Sequence, residues 1–271
     1  MEILKTIALG FIEGITEWLP ISSTGHLILA QEFIKFKYSA AFWDMFLVVI
    51  QFGAILAVIL LYFGKLLPIS FDNGIKIKKE IVLLWLKIIL SCLPAAFIGL
   101  LWDEQLNALF YNSKTVSIML ISVGIIFILI ENHLKDKKFE ISDAVEISFR
   151  AAFIIGLFQV IAAVFPGTSR SGATIIGALL LGVSRKAAAE YSFFLAIPVM
   201  AGASALKLFE FGFAFTLNEF ITLIIGMLTA FIVSIFAVNF LLSFISKHSF
   251  KFFGWYRIIL GFIVLFFSFS V

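Results

Sequence analysis

The chain has 271 residues, of which 62% are hydrophobic and 14% charged, and its mean hydropathy is +1.12. A soluble domain carries roughly 45–50% apolar and about 25% charged residues, so this composition excludes a water-soluble globular protein. The net charge of +3 is small and scattered, which excludes a nucleic-acid binder, and the single cysteine, Cys92, permits neither an internal disulfide nor a cysteine-based metal centre.

A membrane-spanning helix needs about 20 mostly apolar residues. Along the chain the first apolar stretch, about 3–36, is not a cleavable leader: Glu2 and Lys5 open it, and Glu13 and Glu17 interrupt it. Full spans are expected at about 41–63, 81–102 and 115–131. A second interrupted stretch follows at about 147–183, and further spans at about 188–207, 219–243 and 252–270. Pro and a run of Ser, Thr and Gly break both interrupted stretches near their middles, leaving halves too short to cross. Such halves fit re-entrant pairs that enter and leave on one side. Non-helical backbone at that depth is tolerated only inside protein or beside a wet cavity. The abundant Phe, 34 residues, reads as lipid-facing bulk.

Charge supports this count. With two returning hairpins and six crossings, Lys65, Lys76, Lys78, Lys79, Lys135, Lys137, Lys138, Arg185, Lys186, Lys247 and Lys251 fall on one side. Lys35, Lys37 and Lys114 fall on the other with Asp103 and Glu104. The positive-inside rule makes the first side cytoplasmic and places both termini outside. Lys87, near the cytoplasmic end of its span, is expected to snorkel. The expected fold is an all-α polytopic membrane protein with six full transmembrane helices plus two re-entrant hairpins. It forms one integral domain, 1–271, made of an inverted-topology repeat of 1–134 and 145–271. In such repeats the binding site usually lies at mid-membrane, where the two breaks meet.

Both breaks are polar where nothing polar belongs. The first reads Glu13-Gly14-Ile15-Thr16-Glu17-Trp18-Leu19-Pro20-Ile21-Ser22-Ser23-Thr24-Gly25-His26, and the second Pro166-Gly167-Thr168-Ser169-Arg170-Ser171-Gly172-Ala173-Thr174. Ionisable groups at membrane depth are costly and mark function. Glu13 and Glu17 share a helix face, and two carboxylates so close repel unless a cation or proton lies between them. A divalent ion held by the pair and by substrate phosphates resolves the conflict; pairing of one Glu with a basic side chain is the plainer alternative. Ser22, Ser23, Thr24 and Gly25 open a helix, where hydroxyls cap and free N–H groups face an anion. His26 lies one turn beyond, suited to acid–base work. Arg170 offers a planar fork for phosphate oxygens, with a glutamate as its resting partner. Gly167 and Gly172 permit close backbone approach. Asp44 reads as solvated, and Gln51, Glu190 and Asn239 as interhelical polar contacts.

These two segments, with Val48-Val49-Ile50-Gln51-Phe52-Gly53, resemble the undecaprenyl-diphosphate phosphatase family, the bacterial bacitracin-resistance membrane proteins, over essentially the whole chain. The resemblance implies hydrolysis of a C55 polyprenyl diphosphate lipid to its monophosphate, recycling a carrier for cell-wall polymers. It also implies Mg²⁺ or Ca²⁺, action at the outer face of the plasma membrane among its lipids, and often a homodimer. Carried onto matching positions, Glu13 and Glu17 bind metal or activate the nucleophile, Ser23 is the candidate nucleophile, His26 its acid–base partner and Arg170 the phosphate clamp. Ser22, Thr24, Gly25, Ser169, Ser171, Gly172 and Thr174 supply phosphate contacts. Leu47 departs from the acidic residue expected there, and one extra residue separates Gln159 from Pro166. Serine attack and metal-activated water both remain open. The rival reading is a transporter or flippase for a lipid phosphate or another anion, whose architecture is shared.

Overall fold

The computed structural model describes residues 1–70, 75–135 and 137–270; Asp136 in the basic loop and Val271 at the end of the second expected repeat lie outside them. Among the described residues six helices are long and apolar enough to cross a membrane. These are α3 (Ala40–Leu61), α5 (Lys79–Phe110), α6 (Ser113–His133), α9 (Arg185–Phe211), α10 (Leu217–Ile245) and α11 (Lys251–Ser270). The protein is an all-α polytopic membrane protein. The two interrupted stretches form helix pairs, α1 (Glu2–Thr16) with α2 (Ser23–Phe33), and α7 (Phe149–Val164) with α8 (Arg170–Leu180). Short connections complete the chain: α4 (Phe63–Leu66), a 3₁₀ turn at Ala144–Glu146, and an antiparallel pair of two-residue strands, β1 (Ile69–Ser70) and β2 (Lys76–Ile77).

Helix starts follow capping chemistry. Ser39, Asn112, Ser148, Ser184 and Thr216 each accept a backbone N–H from the first turn they precede, and Thr216 with Glu219 closes a reciprocal box. α5 runs eight residues beyond the expected end at 102, because Asp103, Glu104, Gln105 and Asn107 continue the helix after the apolar run stops.

The packing encloses the two breaks, while α1 and α7 each keep an exposed apolar face. α1 lies along α10, and α7 lies along α5, so the first arm of each pair rests on the middle crossing of the other half. α6 packs against α11, and α3 against α9 and α10. α8 is buried from Ser171 to Leu179, with α9 over Ala187–Ile197 beside it. An enclosed half-helix can keep polar ends that lipid would not accept.

Lys87 reaches the loop after α6, where its Nζ donates to the Val145 carbonyl in the 3₁₀ turn at 2.8 Å. One side chain departs from expectation. Asn239 is exposed and donates to its own helix at Ile235, so it joins no second helix.

Helix approach depends on small residues. A Cβ at Gly53 would overlap the Met227 backbone of α10, whereas at Gly99 it would meet open space. Gly53→Ala is therefore expected to force α3 from α10 and cost about 1–3 kcal/mol, while Gly99→Ala costs nothing. Thermal unfolding in detergent checks this; equal midpoints for the two variants would show that α3 and α10 tolerate separation.

Candidate active site

α1 continues one residue past Thr16, and Glu17 N–H donates to the Glu13 carbonyl at 3.0 Å, so both carboxylates leave one helical face. The chain then turns through Pro20, and Ser22 starts α2 with φ 72° and a side chain that accepts from Gly25 N–H at 3.4 Å. Ser169 starts α8 in the same way, with φ 70° and Gly172 N–H at 3.2 Å. Among the described residues these are the only non-glycines with positive φ. The two cap serines, and not the prolines, are the equivalent points. Ser22 follows Pro20 by two residues and Ser169 follows Pro166 by three. Ser23 thus corresponds to Arg170.

Those two residues meet on one carboxylate. Ser23 Oγ donates to Glu17 Oε2 at 3.1 Å, and Arg170 Nη2 donates to Glu17 Oε1 at 2.9 Å. Glu17 therefore bridges the first residues of two half-helices. Arg170 Nη1 also donates to the Ser192 carbonyl and hydroxyl, and its guanidinium lies 6.0 Å from the Trp18 ring centre. Its Nε is buried without a hydrogen-bond partner. Glutamate is the resting partner of Arg170, as the sequence suggested.

Glu13 is fully buried beside Glu17 and within electrostatic reach of Arg170, and among the described residues no N–H or hydroxyl donor reaches its carboxylate oxygens. Buried polar atoms are normally satisfied, so the two carboxylates require either a proton shared between them or a cation. Among the described residues no three His, Cys, Asp or Glu cluster as a complete metal site. Two adjacent carboxylates do fit a hard divalent cation whose other ligands come from phosphate and water.

The remaining candidates divide by burial. Ser23, Thr24, His26, Ser169 and Arg170 are half-buried at the mouth, whereas Ser22, Gly25, Ser171, Gly172 and Thr174 are buried. Ser171 Oγ bonds Ser169 Oγ and the Glu17 and Leu19 carbonyls; Thr174 Oγ1 bonds the Arg170 and Ser171 carbonyls and Ser192. Both hydroxyls brace the breaks. His26 does not bond Ser23. Its Nδ1 faces the Ser22 carbonyl at 2.7 Å, which only accepts, so Nδ1 carries hydrogen and Nε2 faces the Tyr256 hydroxyl at 2.7 Å.

α11 supplies residues that the sequence reading passed over. Arg257 is fully buried, with Nη1 donating to the Pro20 carbonyl at 3.2 Å and Nη2 to those of Gly167 and Thr168 at 2.8 and 3.0 Å. It ties the first break to the second. It has no ion-pair partner among the described residues, so its charge stays available to an anion nearby. The signal was present: Arg257 is the only charged residue inside the apolar run 252–270. Ser192 and Tyr256 carried no such signal.

Residues 6–263 match the family of Bacitracin resistance protein BacA, and the chain belongs to that family. It is 63% identical over 265 residues to the undecaprenyl-diphosphatase of Desulfitobacterium hafniense, covering 98% of this chain and 95% of that protein. Identity is also 63% over 265 residues to undecaprenyl-diphosphatase 1 of Clostridium acetobutylicum, covering 98% and 97%. The Acetivibrio thermocellus undecaprenyl-diphosphatase is 55% identical over 271 residues, covering 100% and 99%.

Lysine cannot span carbonyls from both breaks with one ammonium. Arg257→Lys is expected to lose about 2–4 kcal/mol, the cost of charged hydrogen bonds with carbonyls left unpaired. The thermal midpoint of purified protein reports it. A midpoint at the wild-type value would show that the two breaks hold together without this staple.

Proposed function

We propose that this protein hydrolyses undecaprenyl diphosphate to undecaprenyl phosphate and orthophosphate, recycling the lipid carrier of cell-wall polymers. The observation that carries this reading is the single carboxylate, Glu17, joining a serine hydroxyl and an arginine fork at two facing helix starts. The names of relatives that share more than half of their residues with it support the same activity. Phosphoryl transfer needs positioning and charge stabilisation above all, and these groups provide both. A transporter needs no nucleophile hydrogen-bonded to a base.

Arg170 leaves Glu17 for the terminal phosphate oxygens as substrate arrives, which frees the carboxylate. Ser23 Oγ attacks the terminal phosphorus and its proton passes to Glu17 Oε2. The bond from phosphorus to the bridging oxygen breaks, and lipid monophosphate departs. Water then cleaves the seryl phosphate: its oxygen goes to orthophosphate, one proton returns to Ser23, and Glu17 releases its own to solvent. The leaving phosphate has a second pKa of about 6, so it departs as an anion without a general acid. That agrees with His26 resting on Ser22 and Tyr256, where it orders the start of α2. Glu13 and Glu17 would hold Mg²⁺ or Ca²⁺, which supplies charge neutralisation between the carboxylates and the phosphate oxygens.

Direct attack by water is the second reading, and trapping separates the two. Rapid quench with terminally labelled substrate is expected to leave label on Ser23, with net retention at phosphorus. Inversion at phosphorus with no labelled protein would retire the serine nucleophile.

The adjacent Glu13 and Glu17 carboxylates generate a metal test. Glu13→Gln is expected to insert and purify normally yet lose turnover, and chelation of divalent cations should silence wild type until Mg²⁺ or Ca²⁺ is restored. Full rates in metal-free buffer would remove the metal from the mechanism.

The site opens outward in this reading, with both termini outside, in the bacterial plasma membrane. Lysine and arginine crowd the opposite loops, and a cavity of about 400 Å³ lies on the outer side between α2, α6 and α11, lined by Ile28, Leu29, Lys114 and Val264. The halves 1–134 and 145–271 form an inverted repeat, supported by α1 on α10 matching α7 on α5. A homodimer is the assembly that the family resemblance supports. In a Cys92→Ala background, Lys137→Cys is expected to resist impermeant thiol reagents in intact cells while Gln105→Cys and Phe213→Cys react. Outward labelling at position 137 would reverse the orientation.

A further inference from the structure

Two neighbouring residues of α11 grip the first break at two of its carbonyls. Arg257 Nη1 donates to that of Pro20 directly, at 3.2 Å. Tyr256 reaches that of Ser22 through His26: its hydroxyl lies 2.7 Å from Nε2, and Nδ1 lies 2.7 Å from the Ser22 oxygen. A carbonyl only accepts, so Nδ1 carries the hydrogen, Nε2 of the neutral ring accepts, and Tyr256 donates. The two bonds run in one direction and each polarises the other. The rings also lie nearly parallel, 10° apart with centres at 5.6 Å, so the imidazole cannot turn without losing both contacts.

The Ser22 carbonyl shares a planar peptide unit with the Ser23 nitrogen, so holding that oxygen fixes the plane from which Ser23 departs. Serine carries its hydroxyl on a single rotatable bond, and its aim is set by that backbone. Arg170, its counterpart, is aimed by its own bonds to Glu17 and Ser192. The second break supplies the comparison. Ser169 has the same positive φ and the same cap, yet its carbonyl accepts from the backbone N–H of Ala173 at 2.9 Å, and alanine stands where His26 stands in the first break. Starting a half-helix in this conformation therefore does not require the ring. We infer that Tyr256 is a positioning residue: its hydroxyl holds His26, His26 holds the Ser22–Ser23 peptide plane, and that plane keeps Ser23 Oγ on Glu17 and in line with the terminal phosphorus. The inference rests on the reading of Ser23 as nucleophile.

Tyr256→Phe keeps the stacked ring and removes only the donor. In rapid quench of the full-length protein with terminally labelled undecaprenyl diphosphate, label is expected on Ser23 roughly tenfold more slowly than in wild type, about the factor one neutral hydrogen bond supplies, with KM unchanged. His26→Ala should slow labelling at least as much, and Tyr256→Phe should add nothing in that background, because the relay runs through the ring. Trp255→Phe, at the exposed neighbouring position, should label at the wild-type rate. Wild-type labelling in Tyr256→Phe, or a further tenfold loss in the double variant, would overturn the relay and leave serine attack standing. Slower labelling that tracks a fall in the folded fraction, read by size-exclusion profile, would mean lost packing and overturn it as well. Hydrolysis by wild type with no label on the protein would remove serine attack and this inference together.

Discussion

The structure depends on one buried ion pair, Glu17 with Arg170, formed where two broken helices meet inside an apolar bundle. Taking two charges out of water costs several kcal/mol per ion, and their attraction offsets that only with good geometry and further hydrogen bonds. Here both conditions hold. Glu17 also accepts from Ser23, and Arg170 also donates to Ser192. Removing either charge would strand the other, at about 3–5 kcal/mol. Such a pair is poor insurance for stability alone. It is well suited to a site that must exchange one of its members for a charged ligand.

The strain at the two helix starts has the same logic. Ser22 and Ser169 hold positive φ, which in a non-glycine residue costs of order 1–3 kcal/mol. Glycine would relieve the backbone but could not cap, because the serine hydroxyls receive the Gly25 and Gly172 N–H groups. The capped geometry aims Ser23 and Arg170 at the same carboxylate. Arg257 holds it from behind by taking carbonyls of both breaks, so the turns do not rely on lipid or water.

Much of this arrangement is legible in the sequence. The spans follow from the length of apolar runs, and the breaks from Pro, Gly and hydroxyl clusters, which are local rules. Glu17 and Arg170 were legible as partners because membrane depth leaves a charge few alternatives. What stayed hidden depends on packing between distant segments. His26 turns to Tyr256 across 230 positions of chain, a contact that no local spacing encodes. Its proximity to Ser23 in sequence suggested a bond, but a residue three positions along a helix points away when a nearer carbonyl captures its ring nitrogen. Ser171 and Thr174 likewise had the chemistry of phosphate contacts, yet enclosure of α8 turned them inward.

Charge balance explains why these side chains alone are incomplete. Around the meeting point lie two carboxylates, Glu13 and Glu17, and two guanidinium groups, Arg170 and Arg257. Their formal charges cancel, so these side chains together are close to neutral and tolerable inside a membrane. A diphosphate ester brings about 1.5 to 2 negative charges on its terminal phosphate and one more on the inner phosphate. Neutral walls cannot hold that load at low dielectric. If Glu13 and Glu17 hold a divalent cation, it would offset most of that load, whereas the cation without substrate would leave the site positive. Each ligand would then lower the electrostatic cost of the other, and such coupling is reciprocal. On that reading metal and diphosphate would bind as a unit, and loss of the lipid monophosphate would weaken the hold on both.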